Sequence, residues 1–433
     1  MKPTTPYSGE KKRTVISKKN PIIPGMGVCD PHIHIFEGRM YLYASHDAVA
    51  DAHGFCMHDW QIWSSGDCVE WKLESIVRPE DFWMGESNCC WATDCAERNG
   101  KYYFYFSNGN SSTGVGVADR PEGPYRDVLG RPLLDGTATT TTEYDPSIFK
   151  DDDGEYYIVF GGPSWAYGDG CGYFIARLAE DMISLAETPR KIELDHEGDD
   201  KASLNRICGR YYLTFGGFCA VSDCVYGPYR YLGHTGASID HTSFCEWNGQ
   251  LFNAITVVDH FGEYRSSGLC YAHIRSSGEI VTDPLIVEYG VGQYDSNWNR
   301  IEAEWFMSAR NISKVENDDL FGFSVSAVSE AVLNYPKIRN LCDKVGFAVN
   351  YDCVGGGGTI ELREKNENGR LFGAIHIEKP SPVFRWRNRR SAAIRFRESL
   401  PNTVDFCLKI KPDKGAEIRI DCIHFFPDAV SNP

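Results

Sequence analysis

The sequence predicts an all-β protein, a five-bladed β-propeller followed by a β-sandwich of jelly-roll type. One phrase, a special residue, a short apolar strand, a Gly turn and an aromatic strand, recurs five times. The turn glycines Gly38, Gly100, Gly154, Gly209 and Gly249 fall 62, 54, 55 and 40 residues apart, the spacing of propeller blades. After Trp298 the repeat stops, and short alternating strands with Gly and Asn turns take over, as in a sandwich. The predicted organisation is an N-terminal arm over 1–20, a propeller over 21–293 and a sandwich over 299–433.

The five phrases open at Asp30-Pro31-His32, Trp91-Ala92-Thr93-Asp94, Asp145-Pro146-Ser147, Asp200-Lys201-Ala202 and Asp240-His241-Thr242. Their aromatic strands read MYLYAS, KYYFYFS, EYYIVFGG, RYYLTFGG and QLFNAITV. A second phrase, Gly-Pro-Tyr-Arg, recurs at Gly123–Arg126 and Gly227–Arg230 and supports the repeat independently. The polar arm is expected to complete the last blade. The Asp151-Asp152-Asp153-Gly154 run lacks the remaining oxygen-ligand spacing of a calcium loop and reads as an acidic turn.

A formal charge of −16 lacks the basic footprint that nucleic acid or an acidic membrane requires. No run approaches the roughly 18 apolar residues of a spanning helix. The sixteen cysteines show no zinc spacing, and the N-terminus shows no apolar leader, so a cytoplasmic, reducing setting with free thiols is expected.

In a propeller the first strand of each blade lines the central channel, so Asp30, Trp91, Asp145, Asp200 and His241 should converge. Separated carboxylates suit hydrolysis of an acetal: one, ionised, activates water, and another, protonated, releases the leaving oxygen. Asp30 is the expected general base, its backbone held extended by Pro31. Asp145 is expected to tune and orient the acid. The general acid is either Asp200, at the same register as Asp145, or Glu197 just upstream, with Asp199 a loop charge. His241 is expected to hold a metal through water or to tune a carboxylate. Trp91 would supply a stacking wall, Arg265 would bond substrate hydroxyls or the acid, and His32 would share the face of Asp30.

These residues resemble glycoside hydrolase family 43. Asp30 in CDPHIHIFEGRMYLYAS resembles the family's base motif, and Asp145 in EYDPSIFKDDDGEYYIVFGG its pKa-modulator motif. Trp91-Ala92-Thr93-Asp94 is similar to the family's Trp-Ala-Pro-Asp phrase, with Thr93 replacing proline. His241 in DHTSF is similar to an axial histidine that in many members sits beside calcium or water. The resemblance implies a five-bladed propeller that hydrolyses glycosides with inversion, no required cofactor, and a structural calcium in the channel. One departure stands out: the family's acid is a glutamate, whereas this chain has Asp200, followed by Lys201 rather than a small residue.

Residues from about Arg300 to Phe426 resemble carbohydrate-binding module family 6, with Tyr335, Phe384 and Trp386 as the aromatics expected to meet glycan. Together the two resemblances imply an α-L-arabinofuranosidase acting on plant-cell-wall poly- or oligosaccharides of arabinoxylan type. A β-xylosidase and an exo-β-galactanase are the neighbouring alternatives. A non-catalytic glycan-binding propeller that lost its acid is the alternative of another class.

Overall fold

The computed structural model describes residues 13–48, 55–237, 240–259, 264–317, 322–378 and 390–428. The chain divides into two compact units. The first runs to Gly290, and the second runs from Val291, with Glu246–Leu251 and Tyr271–Ser276 grouped with the second.

Five antiparallel sheets follow one another along the chain. The first holds β1 (Thr14–Ile16), β2 (Val28–Phe36), β3 (Arg39–Asp47), β4 (Met57–Ser65) and β5 (Glu70–Val77), in the order β1-β5-β4-β3-β2. The second holds β6 (Cys90–Arg98), β7 (Lys101–Asn108), β8 (Ser112–Ala118) and β9 (Arg126–Asp127) in simple succession. The third repeats this with β10 (Ser147–Lys150), β11 (Tyr156–Gly162), β12 (Gly172–Arg177) and β13 (Arg190–Lys191). The fourth has β14 (Ala202–Ile207), β15 (Arg210–Phe215), β16 (Phe218–Ser222) and β17 (Arg230–His234). The fifth has β18 (Thr242–Trp247), β19 (Gln250–Asp259), β20 (Tyr264–Ile274) and β21 (Ile280–Thr282).

The turn chemistry explains the repeat. Glu37-Gly38, Asn99-Gly100, Cys208-Gly209 and Asn248-Gly249 all take positive φ at both positions. That is the type I′ turn, whose twist matches a tight hairpin and whose second position favours glycine. The aromatic strands then bury one ring set against the next sheet. Trp60, Phe104 and Phe106 interleave between the first two sheets, and Phe149, Tyr157 and Tyr211 between the third and fourth. The Gly-Pro-Tyr-Arg phrases are equivalent in space too: the Tyr125 hydroxyl donates to the Pro121 carbonyl, and Tyr229 to Val225, each four residues upstream.

The first strands of the sheets meet one another through side chains. Ile33 N–H donates to Ser243 Oγ (β2 to β18), His34 contacts Asp94 (β2 to β6), and Ile148 N–H donates to Asp94 (β6 to β10). The Ser147 and Ser203 hydroxyls join β10 to β14. The N-terminal segment differs from expectation. Thr14–Ile16 covers the outer edge of the first sheet, in register with Glu70–Lys72, rather than completing the fifth. An uncovered outer strand leaves a row of unpaired backbone groups, which this short strand partly satisfies. Asn20 then reaches the fifth sheet, bonding both backbone groups of Leu269 and the Val287 carbonyl.

The second unit contains two antiparallel sheets. One is ordered Ser313–Glu316, Phe323–Ala327, Glu417–Pro427, Lys344–Val354, Arg390–Arg395. The other is ordered Ser308–Arg310, Ala331–Ile338, Val404–Pro412, Gly358–Glu364, Leu371–Ile377. Phe406 of the second sheet stacks on Phe425 of the first at 5.3 Å, so the apolar faces meet there.

Candidate active site

Asp30 and Asp145 share an unusual backbone. Both take positive φ, +50° and +54°, where the sequence predicted extended chain for Asp30. Left-handed φ is costly for a side-chain-bearing residue. At Asp30 it coincides with a register shift between Cys29 and His32, a bulge that re-aims the side chain. At Asp145 the backbone N–H donates to Ser107 Oγ at 2.8 Å, and that hydroxyl in turn faces the carboxylate at 3.4 Å.

The re-aimed carboxylates enter a pocket of about 140 Å³, with Asp200, His241 and Arg265, walled by Phe55, Trp91, Tyr144 and Tyr167. Tyr144 and Tyr167 are joined hydroxyl to hydroxyl at 2.8 Å, and the Trp91 indole is anchored on the Phe55 carbonyl. A larger cavity of about 410 Å³ lies at His32, His34, Glu97, Lys150 and Arg206, away from these acids.

His241 is the hub. Its Nε2 lies 3.2 Å from Asp200, 3.5 Å from Asp240, and 3.8 Å from both Asp30 and Asp145. Burial alone would strip its proton, but the Asp30, Asp200 and Asp240 carboxylates outweigh it and push the imidazole up to about 10. Arg265 is the second cation. It donates to Asp30 at 2.6 Å, to Asp240 at 3.2 Å and to Asp47 at 3.1 Å, and it lies over the Phe55 ring.

The acids therefore differ in protonation. Burial works against charge on Asp30, yet Arg265 and His241 hold it below its usual range, so it is ionised. Burial pushes Asp145 up to about 7, with Asp200 adding and His241 opposing. Asp200 and Asp240 are hydrogen-bonded to each other. Against burial, His241, this bond and the Lys201 N–H hold Asp200 low, while burial and the neighbouring carboxylates drive Asp240 well up. A proton on the pair is thus favoured on Asp240 over Asp200. Asp200 is its exposed member, with 37% of its side chain accessible against 3% for Asp30 and 4% for Asp145.

The structure places the expected residues as follows. Asp30, Trp91, Asp145, Asp200, His241 and Arg265 all line the one pocket. Arg265 lines the pocket with its guanidinium paired to the Asp30, Asp47 and Asp240 carboxylates. His32 points away from the acids: its ring stacks on His34, its Nε2 meets Asp94 at 3.2 Å and its Nδ1 meets Lys201 at 3.1 Å. Both nitrogens being engaged, it offers nothing to substrate in that pocket. Glu197 is exposed beside Pro163, Lys191 and His196, outside the acid pocket. Tyr335 is fully buried and donates to the Ala303 carbonyl, so it packs the second unit's core instead of presenting a face to glycan. Phe384 and Trp386 lie outside the described residues.

Two residues of the site escaped the sequence reading, Asp240 and Asp47, and Lys201 was read only as a departure from the family pattern. Asp240 stands one position before His241, and two acids in successive phrases at Asp200 and Asp240 were the available signal.

Carboxylates held in different protonation states and opening into one pocket suit acid–base hydrolysis of a glycosidic bond, and the comparisons show a glycoside hydrolase. Residues 18–215 match the family model for glycosyl hydrolases family 43, and the chain carries a domain of that family. A xylosidase/arabinosidase of Bacteroides ovatus is 27% identical, over 61% of this chain and 98% of its own length. An arabinoxylan arabinofuranohydrolase of Bacillus subtilis (strain 168) is 25% identical over 87% of each chain. Among solved structures, a family 43 β-xylosidase/α-arabinofuranosidase from a compost microbial metagenome, bound to xylotriose in a calcium-free form, is 26% identical. It covers 62% of this chain and 98% of its own, with a TM-score of 0.53.

Proposed function

We propose that the protein is an inverting, exo-acting glycosidase that removes terminal α-L-arabinofuranosyl residues from arabinoxylan-type poly- or oligosaccharides. β-Xylosyl residues are the second substrate class, because relatives of both kinds match the same domain. The five sheets in chain order, with touching first strands, support a five-bladed propeller over 21–293. The two facing sheets support a β-sandwich over 299–433, whose carbohydrate-module role rests on sequence resemblance. Sixteen free thiols support a reducing compartment.

One observation carries the catalytic reading: Asp30, paired with Arg265 at 2.6 Å, opens into the same pocket as Asp200, which is hydrogen-bonded to Asp240. Asp30 takes a proton from water as the water oxygen bonds the anomeric carbon. The bond from that carbon to the leaving oxygen breaks on the opposite face, and the Asp200 carboxyl, supplied by Asp240, protonates that oxygen. Asp145, near half-protonated at neutral pH, sets how tightly that proton is held. The small aromatic-walled pocket suits one sugar residue rather than a run of chain, hence exo action.

The test is turnover of aryl α-L-arabinofuranoside and aryl β-xyloside by wild type and Asp30→Asn. Wild type should cleave at least one, and the variant should lose about 10²–10⁴-fold. A wild type inert on both, and on arabinoxylan oligosaccharides, removes the substrate assignment.

A further inference from the structure

The family resemblance implies a calcium ion in the channel, and the donor set there does not fit one. Calcium takes six to eight oxygen ligands with free lone pairs. Asp94, the fully buried carboxylate at the channel's centre, already accepts from four donors. These are the N–H groups of Cys95 and Ile148, each at 2.5 Å, His34 at 2.6 Å and His32 at 3.2 Å. Across the His32 ring from Asp94 stands a cation of the chain itself. Lys201, 1% exposed, puts its Nζ 2.8 Å from the Thr93 carbonyl and 3.1 Å from His32 Nδ1. His241 and Arg265 meet the remaining carboxylates as donors.

We infer that the Lys201 ammonium is the resident cation between these inner strands and that the domain neither holds nor requires calcium there. A second cation brought to Asp94 would be repelled by the ammonium across the His32 ring, in a low-dielectric interior where like charges repel strongly. The ammonium also has a mechanical part. Lys201 immediately precedes β14, Thr93 lies on β6 and His32 on β2, so one group ties three inner strands. Because Lys201 follows Asp200, and its N–H bonds the Asp200 carboxylate at 2.8 Å, the same anchor fixes the acid's position. The residue that replaces the family's small one is thus the counterpart of the missing ligand set. This does not depend on which sugar is cleaved.

The experiment reads thermal unfolding of the full chain, dialysed against EDTA and then given calcium or magnesium, with elemental analysis of protein purified without chelator. Wild type should carry no stoichiometric divalent metal and shift by less than about 1 °C in either direction. Lys201→Met should unfold about 5 °C or more lower, since it takes away the buried donor that the Thr93 carbonyl and His32 Nδ1 share. In a double-mutant cycle, Lys201→Met combined with Asp94→Asn should cost less than the sum, as charge partners do. One equivalent of metal in wild type, or a fall with EDTA that calcium reverses, overturns the inference. Strict additivity in the cycle also overturns it. If Lys201→Met fails to fold, the wild-type arm decides alone.

Discussion

Arg265 Nη1 lies 2.6 Å from Asp30 Oδ1, a contact between the fifth sheet and the first across 235 residues of sequence. The same nitrogen reaches Asp240 at 3.2 Å, so one guanidinium touches both the proposed base and the partner of the proposed acid. The contrast in protonation on which hydrolysis depends is thus built partly by this one side chain.

Removing the guanidinium should therefore appear first in the base. In Arg265→Gln, Asp30 loses its nearest counter-charge, and its carboxyl rises toward or above the ordinary carboxylate value. The acidic limb of the kcat/KM profile should move up by about 1–3 pH units, the shift expected of a close opposite charge. Measured profiles with an unmoved acidic limb would show that Asp30 is not held ionised by Arg265.

Asp240 is predicted to act through Asp200. In Asp240→Asn the proposed acid loses its carboxyl partner, which matters only where the leaving group needs protonation. Turnover of alkyl or sugar leaving groups should fall about 10–10²-fold, and of nitrophenyl leaving groups far less. A uniform loss across leaving groups would mark Asp240 as structural only.

His241 gives a pH signature in stability. Its folded value of about 10 lies above the usual value of 6.5. A raised value in the folded state means stabilisation that is fully present below about 6.5 and is lost as pH rises through 10. Unfolding free energies of wild type and His241→Gln from urea titrations should differ by about a few kcal/mol at pH 6, on the order set by the shift. That gap should close toward pH 10.5. A gap constant with pH would contradict the imidazolium assignment.

The all-β class and the succession of antiparallel sheets were legible because their signals are local. A Gly at a tight turn and alternating aromatics report a hairpin wherever they occur, and five such phrases in a row report five sheets in a row. Asp30, Asp145, Asp200 and His241 were legible through their place in that repeat. Side-chain direction was not. Asp30 sits at a bulge with positive φ, where strand alternation no longer says which face a residue takes. His32, assigned to the acids' face, turns instead toward Asp94 and Lys201. Lys201 read as a departure from pattern, since a buried lysine shows its purpose only when its partners from β2 and β6 are seen beside it. Tyr335 was chosen for being aromatic in a binding-module-like segment, and burial in that unit's core was the competing fate.

The most direct measurement follows the first-formed anomer of the released sugar by proton NMR during turnover of aryl arabinofuranoside or aryl xyloside, in wild type and Asp30→Asn. The account predicts that the configuration opposite to the substrate's appears first, and that Asp30→Asn produces neither anomer at a measurable rate. A first product of retained configuration, or unimpaired release by Asp30→Asn, would contradict it.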